Sequence, residues 1–249
     1  MCAEQETGRH FSCLHRRRFL KASGALGAMA LVGTGALSSV AYADALTKAQ
    51  RDKLTPDDIL ALMKKGNKRF YTRKREDYDF LAQQRATAKG QYPAAILLTC
   101  IDSRAPAETI LDLRIGDIFN SRVAGNVENS DILGGMEFAC KLAGAKVVLV
   151  MGHTACGAVK GAIDNAELGN LTGLLAKIKP AVAATTYTGE RTAKNSAFVD
   201  AVARKNVEIT IASIRKDSPV LADMESNGNI KMAGSMYNLE TGVVDFFAR

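Results

Sequence analysis

The sequence contains no tryptophan and few histidines or cysteines, which restricts the chemistry that its side chains can perform. It has three histidines and five cysteines in 249 residues. Cys2 and Cys13 lie near the N-terminus, so three cysteines remain after residue 43, and an odd number fits a disulfide framework poorly. Cysteine usage therefore favours metal ligation over disulfide bonding.

The chain also lacks a basic segment interleaved with aromatic residues, so we predict no nucleic-acid partner. Residues 1–43 contribute +3 to the net charge of +7, and the remaining +4 is typical of a solvated surface. Hydrophobic residues make up 47% of the chain and charged residues 24%, which is ordinary for a globular protein with a substantial core.

The N-terminus carries an export pattern. Residues 15–21 (HRRRFLK) resemble the twin-arginine export motif, and a glycine-rich apolar stretch follows at 22–37. Ala41-Tyr42-Ala43 supplies a small-x-small cleavage pattern before Asp44. A membrane anchor is the alternative, but a spanning helix needs about 20 apolar residues. We predict a twin-arginine signal peptide at 1–43, transient membrane contact during export, and a periplasmic or otherwise exported single domain at 44–249.

Hydrophobic periodicity beyond the signal predicts an α/β fold. Continuous apolar runs predict buried strands at 94–99 and 146–151, with a more polar strand at 117–123. Thr55 as N-cap and Pro56 predict a helix to about Phe70. Further helices are predicted at 79–89, 132–143, 155–165, 171–187 and 195–216, the last ended by Pro219, with closing strands at 229–237 and 242–247. We expect a mainly parallel central sheet flanked by helices, with an N-terminal helical arm.

Candidate metal ligands follow two of the predicted strands. Strand 94–99 runs into Cys100, and strand 146–151 runs into His153 and Cys156. Ligand sites of parallel sheets collect beyond the carboxyl ends of the strands, so the three side chains converge if these strands are neighbours. Two thiolates and one imidazole suit Zn²⁺ and leave its fourth position open, as in catalytic zinc sites.

Asp102 and Arg104 indicate what kind of zinc site this is. Asp102 lies two residues after Cys100, close enough to approach the metal or to accept a hydrogen bond from its bound water. Arg104 can pair with that carboxylate, lower its pKa and fix its orientation. Cys140 has apolar neighbours in the predicted helix 132–143, and we interpret it as a core residue.

The combined motifs resemble the β-class carbonic anhydrases. Cys-x-Asp-Ser-Arg begins at Cys100, and His-x-x-Cys-Gly begins at His153. Further family motifs are Gly66-Asn67-x-Arg69-Phe70, Gly116-Asp117-x-Phe119, Arg122-Val123-Ala124-Gly125-Asn126 and Gly234-x-x-Tyr237. The resemblance covers residues 55–247, nearly everything after the predicted signal.

The resemblance implies a zinc lyase that converts CO₂ reversibly to bicarbonate and a proton, by attack of zinc-bound hydroxide on CO₂. Cys100, His153 and Cys156 would be the ligands of Zn²⁺. Asp102 and Arg104 would orient the hydroxide, or Asp102 would be the fourth ligand in a closed, inactive form.

The resemblance also implies a CO₂ pocket built across a subunit interface, and hence a homodimer or a dimer of dimers. Gly157 would offer its backbone N–H to a substrate oxygen, and Gln91 and Phe119 would line the pocket. Phe138 stands where the family carries a tyrosine from the facing subunit, so the hydrogen bond of that hydroxyl is missing. Leu97 replaces the tryptophan of the branch that bicarbonate inhibits, which implies that this allosteric site is absent.

Two other functions fit the same scaffold. One is a related zinc hydrolase that attacks carbon disulfide or carbonyl sulfide. The other is a zinc-stabilised binding protein without turnover, although a structural site normally fills its fourth position with Cys or His. Dinucleotide binding is excluded because no Gly-x-Gly-x-x-Gly segment follows the first strand.

The histidine count generates a kinetic prediction. His10 and His15 lie in the predicted signal, so His153 is the only histidine that remains, and a ligand cannot also shuttle protons. We expect CO₂ hydration by the processed enzyme to rise strongly with buffer concentration at fixed pH and ionic strength. Stopped-flow rates that do not change with buffer concentration would contradict this expectation.

Overall fold

The computed structural model describes residues 45–247. Its α-helices are α1 (Lys48–Lys53), α2 (Pro56–Tyr71), α3 (Phe80–Thr87), α4 (Ala107–Ile110), α5 (Ser130–Glu137), α6 (Gly157–Ile163), α7 (Gly169–Ala176), α8 (Lys179–Ala184), α9 (Ser196–Asp217) and α10 (Pro219–Ser226). α5 continues into a π-helical segment at Phe138–Leu142, and a 3-10 turn lies at Ala124–Asn126. Its strands are β1 (Ala95–Thr99), β2 (Ile118–Arg122), β3 (Val147–His153), β4 (Lys231–Tyr237) and β5 (Val244–Phe247). No helix within this range is long and apolar enough to cross a membrane. The predicted signal peptide lies outside the described residues.

The strands form one sheet in the order β2-β1-β3-β4-β5. β1 pairs in parallel with β2 on one side and β3 on the other, β3 pairs in parallel with β4, and β5 closes the sheet antiparallel to β4. The predicted α/β fold with a mainly parallel sheet is confirmed. The chain leaves β1 and β3 in opposite directions along the sheet, and folds of this kind bind ligands at the carboxyl ends of two such strands.

Helices cover both faces of the sheet, because alternate residues of β1 and β3 enter two separate cores. Ile96 and Leu98 join Val148 and Val150 in the core against α5 to α10. Leu97 and Leu149 face the other core, which is formed with residues of α2 and α4. All residues of β1 and β3 are buried, as their continuous apolar runs predict.

Proline chemistry explains two differences from the predicted helices. Pro219 follows the end of α9 as expected, but it also begins α10, because the Ser218 side chain accepts a hydrogen bond from Leu221 N and proline fits the first turn of a helix. The predicted helix 171–187 is divided into α7 and α8, with Pro180 in the first turn of α8. The sequence prediction also missed α1, whose N-cap Thr47 forms a capping box with Gln50.

Asn67 connects three segments around the core between α2, α4 and β5. Its Nδ2 donates to the carbonyl oxygens of Ile110 at 3.1 Å and Gly242 at 2.9 Å, and its Oδ1 accepts from Val244 N at 2.9 Å. The preceding residue must be glycine, because a Cβ on Gly66 would lie 1.9 Å from the Leu111 carbonyl oxygen. α2 therefore approaches the end of α4 closely, and Asn67 satisfies buried backbone groups there.

Asn67→Ala is expected to lower the free energy of unfolding by about 3 kcal/mol, because it leaves buried backbone donors and acceptors unsatisfied. Urea denaturation followed by circular dichroism measures this loss as a lower midpoint with an unchanged m-value. Asn170→Ala, at an exposed position in the first turn of α7, is the matched control and should cost less than about 0.5 kcal/mol. Equal losses in the two variants would contradict the role assigned to Asn67.

Candidate metal centre

Parallel pairing of β1 with β3 brings the predicted ligand segments together. Thr99 is paired with Met151, so Cys100 follows β1 beside the end of β3, where His153 is the last residue. Cys156 is the N-cap of α6 after a short turn. One ligand atom from each of Cys100, His153 and Cys156 lies within 4.8 Å of the others. All three residues are buried, with exposed fractions of 4%, 2% and 1%.

The His153 ring is held so that one nitrogen remains available. Nδ1 lies 2.8 Å from the Thr154 carbonyl oxygen, which can only accept, so Nδ1 carries the proton. Nε2 of the neutral ring then has a free lone pair, and this buried atom has no hydrogen-bond partner. An unsatisfied buried acceptor beside two thiols is the environment of a metal ligand whose tautomer is fixed by a backbone carbonyl.

The two thiols have opposite pKa shifts because they contact each other. The hydrogen bond from Cys156 lowers the pKa of Cys100 to about 4, and the hydrogen bond from the Gly125 N–H acts in the same direction. Contact with the Cys100 sulfur raises the pKa of Cys156. The two thiols therefore share one proton, and a cation between the sulfur atoms would favour its release. Cys140 behaves differently, since burial raises its pKa to about 12, as expected for a core residue.

The predicted ion pair between Asp102 and Arg104 is present beside the ligands. Arg104 Nε lies 3.0 Å from Asp102 Oδ1, and Arg104 Nη2 lies 2.8 Å from Oδ2. The guanidinium holds the pKa of Asp102 well below its usual range, so the carboxyl is ionised. Asp102 Oδ2 lies 3.8 Å from His153 Nε2. The carboxylate thus faces the three-residue group while both of its oxygens are held by Arg104.

Arg122 has a structural role here that the sequence motifs did not indicate. From the end of β2, its Nε donates to the Cys100 carbonyl oxygen at 3.0 Å, and its Nη2 donates to the Asp102 carbonyl oxygen at 2.6 Å. Arg122 therefore fixes the backbone that carries both the first ligand and the carboxylate. Arg122 reaches these two carbonyl oxygens because it is paired with Thr99 across the sheet. This contact can be recognised only when the strand register is known.

Three of the predicted pocket residues come from segments other than those that carry the ligands. Gln91 precedes β1 and is exposed, so it lies beyond the opposite end of that strand from Cys100, which is roughly 16 Å of extended chain or more. Phe119 is paired with Ile96 and meets the Phe138 ring edge-on at 6.1 Å. Phe138 is 52% exposed. Phe119 packs against the core that contains Cys100 and Cys156, so only Gln91 is separated from the ligands of its own chain by the length of a strand.

Gly157 differs from the other predicted pocket residues because it lies beside the ligands. It follows Cys156 directly and is the first residue of α6. A Cβ at this position would meet no atom within 4 Å, so the space next to the Gly157 backbone is open. Gly157 is also exposed, so its backbone is accessible.

The chain matches two family models. A family model described as carbonic anhydrase matches residues 95–244, and a model of the twin-arginine translocation pathway signal sequence matches residues 13–33. Carbonic anhydrase 2 of Mycobacterium tuberculosis is 32% identical over 182 residues, which cover 72% of this chain and 87% of that protein.

Two solved structures are similar in fold. The β-carbonic anhydrase of Aspergillus fumigatus has 30% sequence identity and a TM-score of 0.56, covering 65% of this chain and 78% of the other. A tetrameric β-carbonic anhydrase from Sordaria macrospora has 24% identity and a TM-score of 0.57, covering 65% and 84%.

Metal content distinguishes the ligand cysteines from the core cysteine. The native protein, expressed with zinc, is expected to contain about one zinc per chain, and Cys156→Ala about none, because two remaining ligands bind zinc weakly. Cys140→Ala removes an equally buried thiol outside the group and should retain its zinc. Zinc determined by inductively coupled plasma mass spectrometry on folded protein measures this difference. A zinc-loaded Cys156→Ala protein would rule out the assigned ligands.

Proposed function

The chain belongs to the β-carbonic anhydrase family and is an enzyme of this type, and we propose that it converts CO₂ reversibly to bicarbonate and a proton at one Zn²⁺ held by Cys100, His153 and Cys156. The observation that carries the proposal is the buried His153 Nε2, which has no hydrogen-bond partner and faces two thiols. Two sulfur donors and one imidazole fit zinc. Zinc bound there supplies a Lewis acid that lowers the pKa of a coordinated water molecule.

Asp102 orients the reacting water. An ionised carboxylate can only accept hydrogen bonds, so Asp102 selects a water whose O–H points at it and leaves an oxygen lone pair free for CO₂. Arg104 keeps the carboxylate ionised and in place through its two parallel hydrogen bonds. Because Arg104 holds both oxygens, we propose the open form of the site, in which Asp102 is not a fourth ligand.

Gly157 is proposed to bind a substrate oxygen through its backbone N–H. As the first residue of α6, it belongs to the turn whose N–H groups have no partner within the helix. Oxygen atoms of CO₂ gain negative charge as bicarbonate forms, and N–H groups at a helix N-terminus stabilise such charge. The open space beside Gly157 supports this role.

A second copy of the chain completes the CO₂ pocket. Gln91 lies beyond the far end of β1 from Cys100, Gln91 and Phe138 are exposed and free to face a neighbouring subunit, and Phe119 contacts the Phe138 ring. We propose a homodimer in which these residues border the partner's metal centre, alone or as a dimer of dimers. The Sordaria macrospora enzymes are tetrameric, in keeping with the larger assembly. Phe138 makes the pocket wall apolar where a tyrosine would place a hydroxyl.

The enzyme is exported by the twin-arginine route. We propose that cleavage before Asp44 removes residues 1–43 and leaves 44–249 as one catalytic domain in the periplasm. Contact with the membrane is then limited to export, and the substrates are CO₂ and bicarbonate, with no nucleic-acid partner.

Asp102→Ala tests the proposed chemistry. We expect native zinc content with kcat/KM for CO₂ hydration lower by roughly 10- to 100-fold, because the variant no longer orients the reacting water. Asp223→Ala, which removes an exposed acid on α10, is the control and should keep native activity. Stopped-flow hydration assays on zinc-loaded protein make the measurement.

The same preparations separate the competing functions. Carbon disulfide and carbonyl sulfide are assayed in parallel by sulfide release. Faster turnover of either sulfide than of CO₂ would assign a related hydrolase. Zinc-loaded native protein without any turnover would assign a binding protein, and both results contradict the proposal.

A further inference from the structure

Helix α9 contacts both backbone segments that carry the candidate metal ligands. Asp200, in its first turns, accepts a hydrogen bond through Oδ1 from Ala155 N at 2.8 Å. Asn206, six residues later, donates through Nδ2 to the Gly125 carbonyl oxygen at 2.7 Å. Ala155 lies between His153 and Cys156, and the Gly125 N–H points at Cys100 Sγ, 3.3 Å away. One helix is therefore linked to all three ligands through two backbone segments.

Ala155 has an unfavourable backbone conformation. Its φ is +54°, in the left-handed region where a residue with a Cβ is strained. This conformation reverses the chain so that Cys156 turns back toward His153. A strained residue persists only when its surroundings hold it, and strain of this kind concentrates at functional sites. The Asp200 side chain provides such a hold through the hydrogen bond that its Oδ1 accepts from Ala155 N.

Other elements than α9 hold the residue before Ala155 in the ligand turn. Thr154 N donates to the Tyr237 carbonyl oxygen at 2.9 Å, and Thr154 Oγ1 accepts from Leu239 N at 3.0 Å. β4 and the turn after it thus fix Thr154, whereas Ala155 depends on Asp200. Of these hydrogen bonds, only the one from Ala155 N to Asp200 acts on the residue in the left-handed conformation.

Asn206 holds the backbone segment that donates to the Cys100 sulfur. It is 1% exposed, and it fixes Gly125, which has φ +69° and no room for a Cβ because Ile178 Cδ1 would lie 2.5 Å away. Here glycine itself removes the strain. Ala155 has a Cβ, so its left-handed conformation depends more on the hydrogen bond to Asp200.

We propose that Asp200 is a positioning residue that holds the His153-to-Cys156 turn in its metal-binding conformation and thereby sets how long the protein retains zinc. The proposal rests on the proposed function, since it assumes that zinc is the metal. Asp200 acts on the ligands through the Ala155 N–H and touches neither the metal nor the substrate.

The test measures zinc transfer from the zinc-loaded native protein and variants to excess chelator. Asp200→Ala, which removes the acceptor, is expected to lose zinc about 10- to 100-fold faster, the usual effect of removing a group that orients a ligand. Asp200→Asn keeps an acceptor oxygen and should stay within about threefold of the native rate. Glu208→Ala, on the same helix, removes a partly exposed acid that pairs with Lys205, and should match the native protein.

Ala155→Gly supplies the decisive comparison. Glycine adopts the left-handed conformation without strain, so Asp200→Ala should accelerate zinc loss much less in the Ala155→Gly background. The visible spectrum of Co²⁺-substituted protein should change in Asp200→Ala and stay native in Glu208→Ala, because it reports ligand geometry. A merely structural role predicts neither result. If Asp200→Ala fails to fold, Asp200→Ser replaces it with the same expectations, because its shorter side chain does not reach Ala155 N.

Native zinc retention in the folded Asp200→Ala protein overturns the proposal, and so does an effect of equal size in the Ala155→Gly background. The measurements distinguish failure of the proposed function from failure of the role proposed for Asp200. Native protein that holds zinc without hydrating CO₂ contradicts the proposed reaction, while the ratio of zinc-loss rates still decides the role of Asp200. Native protein that takes up no zinc overturns both.

Discussion

The parallel pairing of β1 with β3 is the constraint on which the candidate site depends. Its register places Thr99 opposite Met151, so Cys100 leaves one strand beside the end of the strand that carries His153. A shift of one residue would turn every side chain of these strands to the other face and separate the ligands. The register is strongly specified because both strands are buried on both faces, with alternate residues in two cores.

The site itself opposes folding unless a metal is bound. A buried polar atom without a partner costs about 1–3 kcal/mol, and His153 Nε2 is such an atom. Two buried thiols that contact each other add a further cost when both ionise, as the opposite shifts of the Cys100 and Cys156 pKa values indicate. The packing of the surrounding sheet offsets these costs in the metal-free protein. A bound cation removes them, and their removal contributes to the free energy of metal binding.

Much of the fold and the ligand set could be predicted because the relevant signals are local in the sequence. β1 and β3 are continuous apolar runs, and their ends carry Cys100 and His153. α10 was missed because Pro219 was interpreted only as the end of the preceding helix. The contacts of Arg122 and Asp200 with the ligand segments have no local signal, since they depend on register and on helix packing. Gln91, Phe119 and Phe138 match the family by spacing, but their place in the pocket depends on how subunits pair, which a single sequence does not indicate.

The most direct test of the central claim is zinc K-edge X-ray absorption of the processed protein. Convergence of the ends of β1 and β3 predicts a first shell of two sulfur atoms at about 2.3 Å, one imidazole nitrogen and one oxygen. Imidazole scattering from a single histidine should accompany it, because His153 is the only histidine among the residues described. A zinc shell with only nitrogen and oxygen ligands, or with a single sulfur, would contradict the account.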